Sequence, residues 1–159
     1  MSDEINYGPA TIKDLDKLVA LQEKLARAHE DIDKFYSLQA NFQKQVKTFF
    51  TEQLASKNSM FYLAQSGGKI VGYIFCMYKE WIPIFKYRKH ATILDIYVEP
   101  DYRRRGVAKR LFVESKRFAK RISADFLVLD VDVSNTAAIN LYTKNGLKPL
   151  MTKMIMRVE

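Results

Sequence analysis

The sequence predicts an α/β fold with one mixed, mostly antiparallel central sheet flanked by helices, and three observations carry that expectation. Apolar residues recur at helical spacing as far as about residue 54 and give way to aromatic and β-branched runs from Met60 onward. The runs MFYLAQ and KIVGYIFCMY meet across SGG, a turn that joins neighbouring antiparallel strands. A strand, a basic loop, a helix and another strand then follow in order, which is the pattern of a crossover between parallel strands.

The elements follow one by one. A short strand is expected in NYGPA, and Thr11 caps the next helix with Asp14 near its positive end. Leu15, Leu18, Leu25 and Ala26, with Val19 between, predict an amphipathic helix over 12–29. Val46, Phe49, Phe50 and Leu54 predict a second over 42–54, and the intervening EDIDKFYSLQA has no period. After the hairpin, ATILDIYV reads as a third long strand. Leu94, Ile96 and Val98 form one apolar face opposite Asp95 and Tyr97, while Ile93 stands outside the alternation. Pro100 ends it, since proline cannot donate to a ladder. Leu111, Phe112, Ser115, Phe118, Ala119 and Ile122 mark the crossover helix, and DFLVLDVDV the buried strand that follows. A helix over 136–145, stopped by Gly146, and a last strand in PLMTKMIMRV complete the order.

The chain has 159 residues, 48% of them hydrophobic, which suffices for one sizeable core and makes a single domain over 1–159 the expectation. Twenty-six Lys and Arg against 18 Asp and Glu leave a net charge of +8, which favours an anionic partner without choosing among nucleic acid, membrane and nucleotide. The lone Cys76 lies in the apolar run IVGYIFCMY and reads as a small core hydrophobe, so neither a disulfide framework nor a metal site is expected. The start MSDEINYGPAT is not a basic segment followed by an apolar one, and no apolar run approaches the ~20 residues that span a bilayer. A cytoplasmic protein without membrane partners is expected.

The chemistry concentrates in VEPDYRRRGVAKRL. A loop that ends as a helix begins leaves the first-turn N–H groups without intrahelical partners, and these can receive phosphate oxygens. Gly106 supplies a position without a side chain where a ligand touches the backbone, and Ala108 keeps the next approach small. Arg103, Arg104, Arg105, Lys109 and Arg110 can neutralise the outer phosphates.

R-R-R-G-V-A resembles the [QR]-x-x-G-x-[GA] signature of the GCN5-related N-acetyltransferases (GNAT). SNTAAINLYTKNGLKPL resembles the same family's N-x-x-A-x-x-L-Y-x-K-x-G-F, with Leu147 in place of the usual Phe. PATIKDLDKL resembles its first strand and helix, so the likeness covers nearly the whole chain, least at 30–58 and 79–91. The resemblance implies a GNAT-like domain and acetyl-CoA as acetyl donor, held by Ile96, Tyr97 and Val98 on the cofactor strand, by Arg103, Arg104, Arg105, Gly106, Val107, Ala108 and Lys109 in the loop, and by Asn135, Ala138, Tyr142 and Lys144. It further implies that the Val98 N–H faces the developing oxyanion and that Tyr142 gives a proton to the departing thiolate.

The base stays open among Asp130, Asp95 and water. Asp130 in LDVDVSN stands where relatives that acetylate a ribosomal protein's N-terminal alanine carry Glu, and Asp95 lies on the cofactor strand. His29 and His90 match no family site and are expected on a helix surface and in a loop. The acceptor amine, a protein N-terminus or a small molecule, is expected between EDIDKFYSLQA, with Glu30, Asp31 and Asp33, and KEWIPIFKYRKH, where Trp81, Phe85 and Tyr87 are ligand contacts or loop anchors. Two rivals remain, an acetyl-CoA sensor without turnover and a nucleic-acid-binding module, though nucleic acid is not the expected partner. A monomer or a homodimer is expected.

Overall fold

Thr11 and Asp14 close the first turn of structure reciprocally. The Asp14 carboxylate accepts from the Thr11 N–H at 2.8 Å and from its hydroxyl at 3.0 Å, so the predicted helix opens as a 3₁₀ turn, Ile12–Asp14, before α1, Leu15–Glu30. The computed structural model describes residues 4–158; the first three residues of MSDEINYGPAT lie outside them. A strand, β1 (Asn6–Pro9), precedes that turn. A second 3₁₀ turn, Lys34–Tyr36, separates α1 from α2, Phe42–Ala55. β2 (Ser59–Ser66), β3 (Lys69–Glu80) and β4 (Lys89–Val98) follow, then α3 (Val107–Arg121), β5 (Phe126–Leu129) and α4 (Thr136–Lys144).

The sheet runs β1-β2-β3-β4-β5 in spatial order. Every neighbouring pair is antiparallel except β4 with β5, where the α3 crossover makes it parallel. The β2–β3 hairpin turns on Gly67 and Gly68, whose φ values of 54° and 76° are the left-handed pair that a tight hairpin turn requires.

Each face of the sheet carries its own core. Against α3 pack Val71, Ile74, Cys76, Ile93 and Val98 with Leu111, Phe112 and Phe118. Against α1 and α2 pack Leu18, Phe50, Phe61, Tyr73, Phe75 and Tyr97. Phe61 and Phe75 stack at 4.0 Å with Phe50 set edge-on to both, and each such buried ring contributes roughly 1.5–3 kcal/mol. Gly72 is the tight point: a Cβ there would stand 2.8 Å from the Tyr97 carbonyl. The two crossover-side helices differ in anchorage. α3 buries seven residues and α4 buries none.

Four sequence expectations are corrected. The register between β3 and β4 slips between Phe75 and Cys76, so Leu94 is an extra residue in a bulge. Ile93 therefore points into the core at 4% exposure and Leu94 outward at 38%, the reverse of the alternation predicted from Leu94, Ile96 and Val98. The strand predicted through DFLVLDVDV stops at Leu129, because Asp132 accepts from the Ser134 N–H and hydroxyl and turns the chain into α4. His90 is a buried residue of β4, stacked on Trp81 at 4.2 Å, and not a loop residue. The last predicted strand, PLMTKMIMRV, is exposed and pairs with no strand among the described residues.

Candidate active site

The β4 strand has two different sides. Toward β3 it is paired from Lys89 to Val98 except at the Leu94 bulge, while toward β5 it is paired only from His90 to Ile93. Beyond that point β4 continues to Val98 and β5 has ended at Leu129, so the two strands part. The Glu99 N–H donates to the Val71 carbonyl at 2.8 Å, which puts Gly72 and Val98 on the non-hydrogen-bonded beat of the antiparallel pair, and Ile74 and Ile96 with them. The backbone groups of Ile96 and Val98 consequently face the gap left by β5. Tyr97, on the opposite beat, turns its ring into the α1–α2 core.

At the end of β4 the chain enters the basic loop. Arg103 folds back, its Nε donating to the Val98 carbonyl at 2.9 Å. Arg104 and Gly106 both take left-handed backbone angles, φ 62° and 78°, which curl the loop into α3. Such a curl turns consecutive N–H groups toward one side and makes a concave anion site. Among the described residues, no protein acceptor takes the N–H groups of residues 104–109, and the first helical bond is Arg110 N–H to the Gly106 carbonyl. Apart from Gly106 itself and its two chain neighbours, no protein atom lies within 4 Å of where a Cβ on Gly106 would be. Orphan donors, open space and the positive helix end together suit a phosphate. Val107 is buried, Ala108 half-buried and Lys109 exposed. Arg105 leans over the Tyr102 ring, and Arg110, expected to help with phosphates, is tied to the buried Glu114 and lies over Tyr7.

α4 follows β5 and leans on α3. Asn135 is its N-cap, accepting from the Ala138 N–H at 3.1 Å, and Lys144, exposed, is its last residue. Tyr142 is half-buried with its ring 6.3 Å from that of Phe112, and Lys116 of α3 donates to the Asn145 carbonyl, so α4 leans on α3. Among the described residues no protein group hydrogen-bonds the Tyr142 hydroxyl, and burial pushes its pKa up to about 12.

The two acidic candidates occupy unlike settings. Asp95 pairs across from Phe75 and is half-buried, with its carboxyl the enclosed end. Desolvation lifts its pKa to about 6, held back by the Tyr73 hydroxyl, which donates to it at 3.1 Å. Asp130 is 96% exposed at its side chain, with the Lys153 ammonium 3.9 Å away.

One pair of residues was missed by sequence reasoning. The Tyr36 hydroxyl donates to Asp132 at 2.9 Å, tying the loop between α1 and α2 to the loop between β5 and α4. Hydrogen bonds from the Ser134 side chain and backbone, and from Tyr36, hold the Asp132 carboxyl below its usual range. The D-x-S pattern announces the turn at Asp132, but no local signal announces Tyr36 as its partner. The expected acids of the first loop are spent on shaping it: Glu30 accepts from the Leu38 N–H and Asp33 from the Phe35 N–H, while Asp31 is exposed. Phe85 and Tyr87 are half exposed, and Trp81 is an anchor between His90 and Phe126.

Fold and loop define an α/β protein with an anion cradle at the open end of a splayed parallel pair. Residues 20–147 match the model of the Acetyltransferase (GNAT) family, and the chain belongs to that family. It is 30% identical over 136 residues to an uncharacterized N-acetyltransferase of Methanocaldococcus jannaschii, covering 86% of this chain and 57% of that protein. It is 35% identical over 108 residues to an N-alpha-acetyltransferase of Sulfurisphaera tokodaii, covering 63% of each. The chain thus spans less than two thirds of the length of these relatives. Its fold matches the aminoglycoside N-acetyltransferase AAC(6')-Iy in complex with CoA, with a TM-score of 0.81 at 15% identity, over 99% of this chain and 97% of that one.

Proposed function

We propose that the chain is an acetyl-CoA-dependent N-acetyltransferase that acetylates a primary amine, with a protein N-terminus ahead of a small amine as acceptor. One observation carries the reading: in a member of this family, the unpaired N–H groups of residues 104–109 curl around open space beside the gap at Ile96 and Val98. The name of the Sulfurisphaera relative favours an N-terminal amine. The enzyme class of the AAC(6')-Iy neighbour keeps small amines in view.

In this reading the pyrophosphate rests on the cradle, with Arg104, Arg105 and Lys109 reaching outward to it. The amine nitrogen attacks the thioester carbonyl, whose oxygen takes up the electron pair in front of the N–H groups of Val98 and Ile96. The carbonyl re-forms, the C–S bond breaks, and the amine proton passes to a base. Asp95 suits that role better than Asp130, because a carboxylate titrating near about 6 is ionised at neutral pH yet basic enough to accept a proton. Tyr142 serves the departing sulfur. Its raised pKa keeps the hydroxyl protonated, but full transfer to a thiolate whose acid has a pKa of ~8.5 is uphill, so it acts chiefly as a hydrogen-bond donor. The two cores share one sheet, which supports residues 1–159 as one domain. No described helix is long and apolar enough to cross a membrane, and the buried free thiol of Cys76 fits the reducing cytoplasm proposed as its setting.

The test is thermal shift with acetyl-CoA, CoA and a nucleic acid, followed by thiol release against a panel of peptide N-termini and small amines. Stabilisation by acetyl-CoA with release on at least one amine is expected. Stabilisation without release from any amine overturns the enzyme in favour of a sensor, and stabilisation by nucleic acid alone overturns both.

A further inference from the structure

We propose that the solvent face of the second half of α3, with Lys116, Arg117, Lys120 and Arg121, is a docking surface for the phosphate backbone of a nucleic-acid duplex, separate from the cradle. The positive charge of the chain is not spread over it. Residues 103–121 hold nine of the 26 Lys and Arg and one of the 18 Asp and Glu, so this stretch carries the whole net charge of +8 and the remaining residues balance at seventeen of each sign. Its single acid, Glu114, is buried and shared between Arg110 and Arg117. The fully exposed residues of α3 are Lys109, Lys116, Arg117, Lys120 and Arg121, all of them cations.

The cradle accounts for only one end of this charge. At 1.5 Å per residue, Lys116 to Arg121 lie roughly 15–22 Å along the helix from Gly106, beyond reach of a pyrophosphate held there. Helix stability does not account for the rest. Lys120 and Arg121 in the last turn complement the negative helix end, but Lys116 with Lys120 and Arg117 with Arg121 are like charges one turn apart, a spacing that destabilises a helix. An ordinary solvated face intersperses acids, as α1 does by setting Arg27 against Glu23 and Glu30.

The face also selects its partner. Insertion into lipid needs exposed apolar side chains, and the apolar residues of α3 are buried or half-buried. A single strand is gripped by stacking its bases on exposed rings, and Phe112 and Phe118 are 0% and 1% exposed. With seven of its 15 residues buried, α3 lies against the sheet and can cross phosphates but not enter a groove. A duplex offers a fixed line of phosphates, about one charge per ~1.7 Å of axis, to such a row of cations without regard to base sequence. Nucleic acid is then a second ligand of the same molecule and not an alternative to acetyl-CoA.

Fluorescence anisotropy with DNA and RNA duplexes of about 20 base pairs, from about 50 to 200 mM salt, tests this. The wild type is expected to bind both, with an affinity that falls linearly in log–log form with salt. Arg117→Gln with Lys120→Gln and Arg121→Gln is expected to lose roughly tenfold or more in affinity and to flatten the salt slope by about three, with circular dichroism unchanged. Arg117→Lys with Lys120→Arg and Arg121→Lys is expected to retain binding. Saturating acetyl-CoA at constant ionic strength is expected to leave duplex binding in place. No binding by the wild type, an unchanged slope in the Gln variant, or displacement by acetyl-CoA overturns the proposal, the last by returning the contact to the cradle. Polyglutamate or phosphatidylserine vesicles bound more tightly than either duplex overturn it in favour of an acidic protein or a membrane. Acetyl-CoA thermal shift on the same samples reports separately on the proposed function, so a protein that binds acetyl-CoA and no duplex loses only the second ligand.

Discussion

The cradle at residues 103–109 and the rim where residues 30–38 meet Asp132 are built from different parts of the chain. The cradle is made of backbone: donors within one short segment, shaped by two left-handed residues and a helix start. The rim is made of side chains brought together across 96 residues by Tyr36 and Asp132. A backbone site fixes the residue types at its own positions, above all a residue that tolerates φ 78°, whereas a side-chain site needs only one suitable group from each of two distant loops. The cradle therefore tolerates almost no substitution at Gly106, and the rim tolerates partial loss.

The largest effect is expected at the cradle. Gly106→Val forces a β-branched residue into a left-handed angle and fills the space over the donors. Losing two hydrogen bonds to a charged phosphate should weaken acetyl-CoA roughly a hundredfold or more by calorimetry, with the far-ultraviolet circular dichroism of a folded protein retained.

Asp95→Asn comes next. The wild-type kcat/KM should rise with pH through an inflection near about 6, and the variant should lose that inflection along with roughly a hundredfold in rate. Stability should move the other way. The folded pKa lies above the unfolded 3.8, so the fold favours the neutral acid, and ionisation weakens it progressively as pH rises from about 4 through about 6. Asp95→Asn should thus raise Tm at pH 8 relative to wild type more than at pH 4, and an equal difference at both would remove the buried carboxylate from the account.

Tyr142→Phe keeps the ring against Phe112 and deletes only the donor. A loss of roughly ten- to a hundredfold in kcat, with acetyl-CoA affinity unchanged, is expected where chemistry limits the rate. Full kcat in that assay would return Tyr142 to the core. The rim should give the smallest effect: Tyr36→Phe should raise the acceptor KM roughly three- to tenfold, with cofactor affinity unmoved. A Tyr36→Phe loss confined to kcat would mean that the rim does not hold the acceptor.

The same distinction explains what could be read from the sequence. The basic loop opening a helix at Gly106 and the stop at Gly146 follow from local rules about N–H groups and left-handed angles, and their residues announce themselves in order. The bulge at Leu94 left a trace as the misfit of Ile93, but a misfit does not say which residue is extra until β3 supplies the register. The relative standing of Asp95 and Asp130 was not legible, because it depends on Tyr73 and on enclosure by residues far along the chain. The strand expected in PLMTKMIMRV is not formed among the described residues: alternation supplies a pattern but names no partner edge.

The absence of any buried residue in α4, against seven in α3, leaves the two helices on the crossover side of the sheet unequally held. Protection against solvent exchange follows the free energy of local opening, so the amides of α4 should exchange with deuterium well before those of α3, at a cost far below global unfolding. An acetylating enzyme must shed spent CoA after every turnover, and in the proposed function the helix that carries Tyr142 is the element that frays first. If α4 opening limits turnover, solvent viscosity should slow kcat while leaving single-turnover acetyl transfer unchanged.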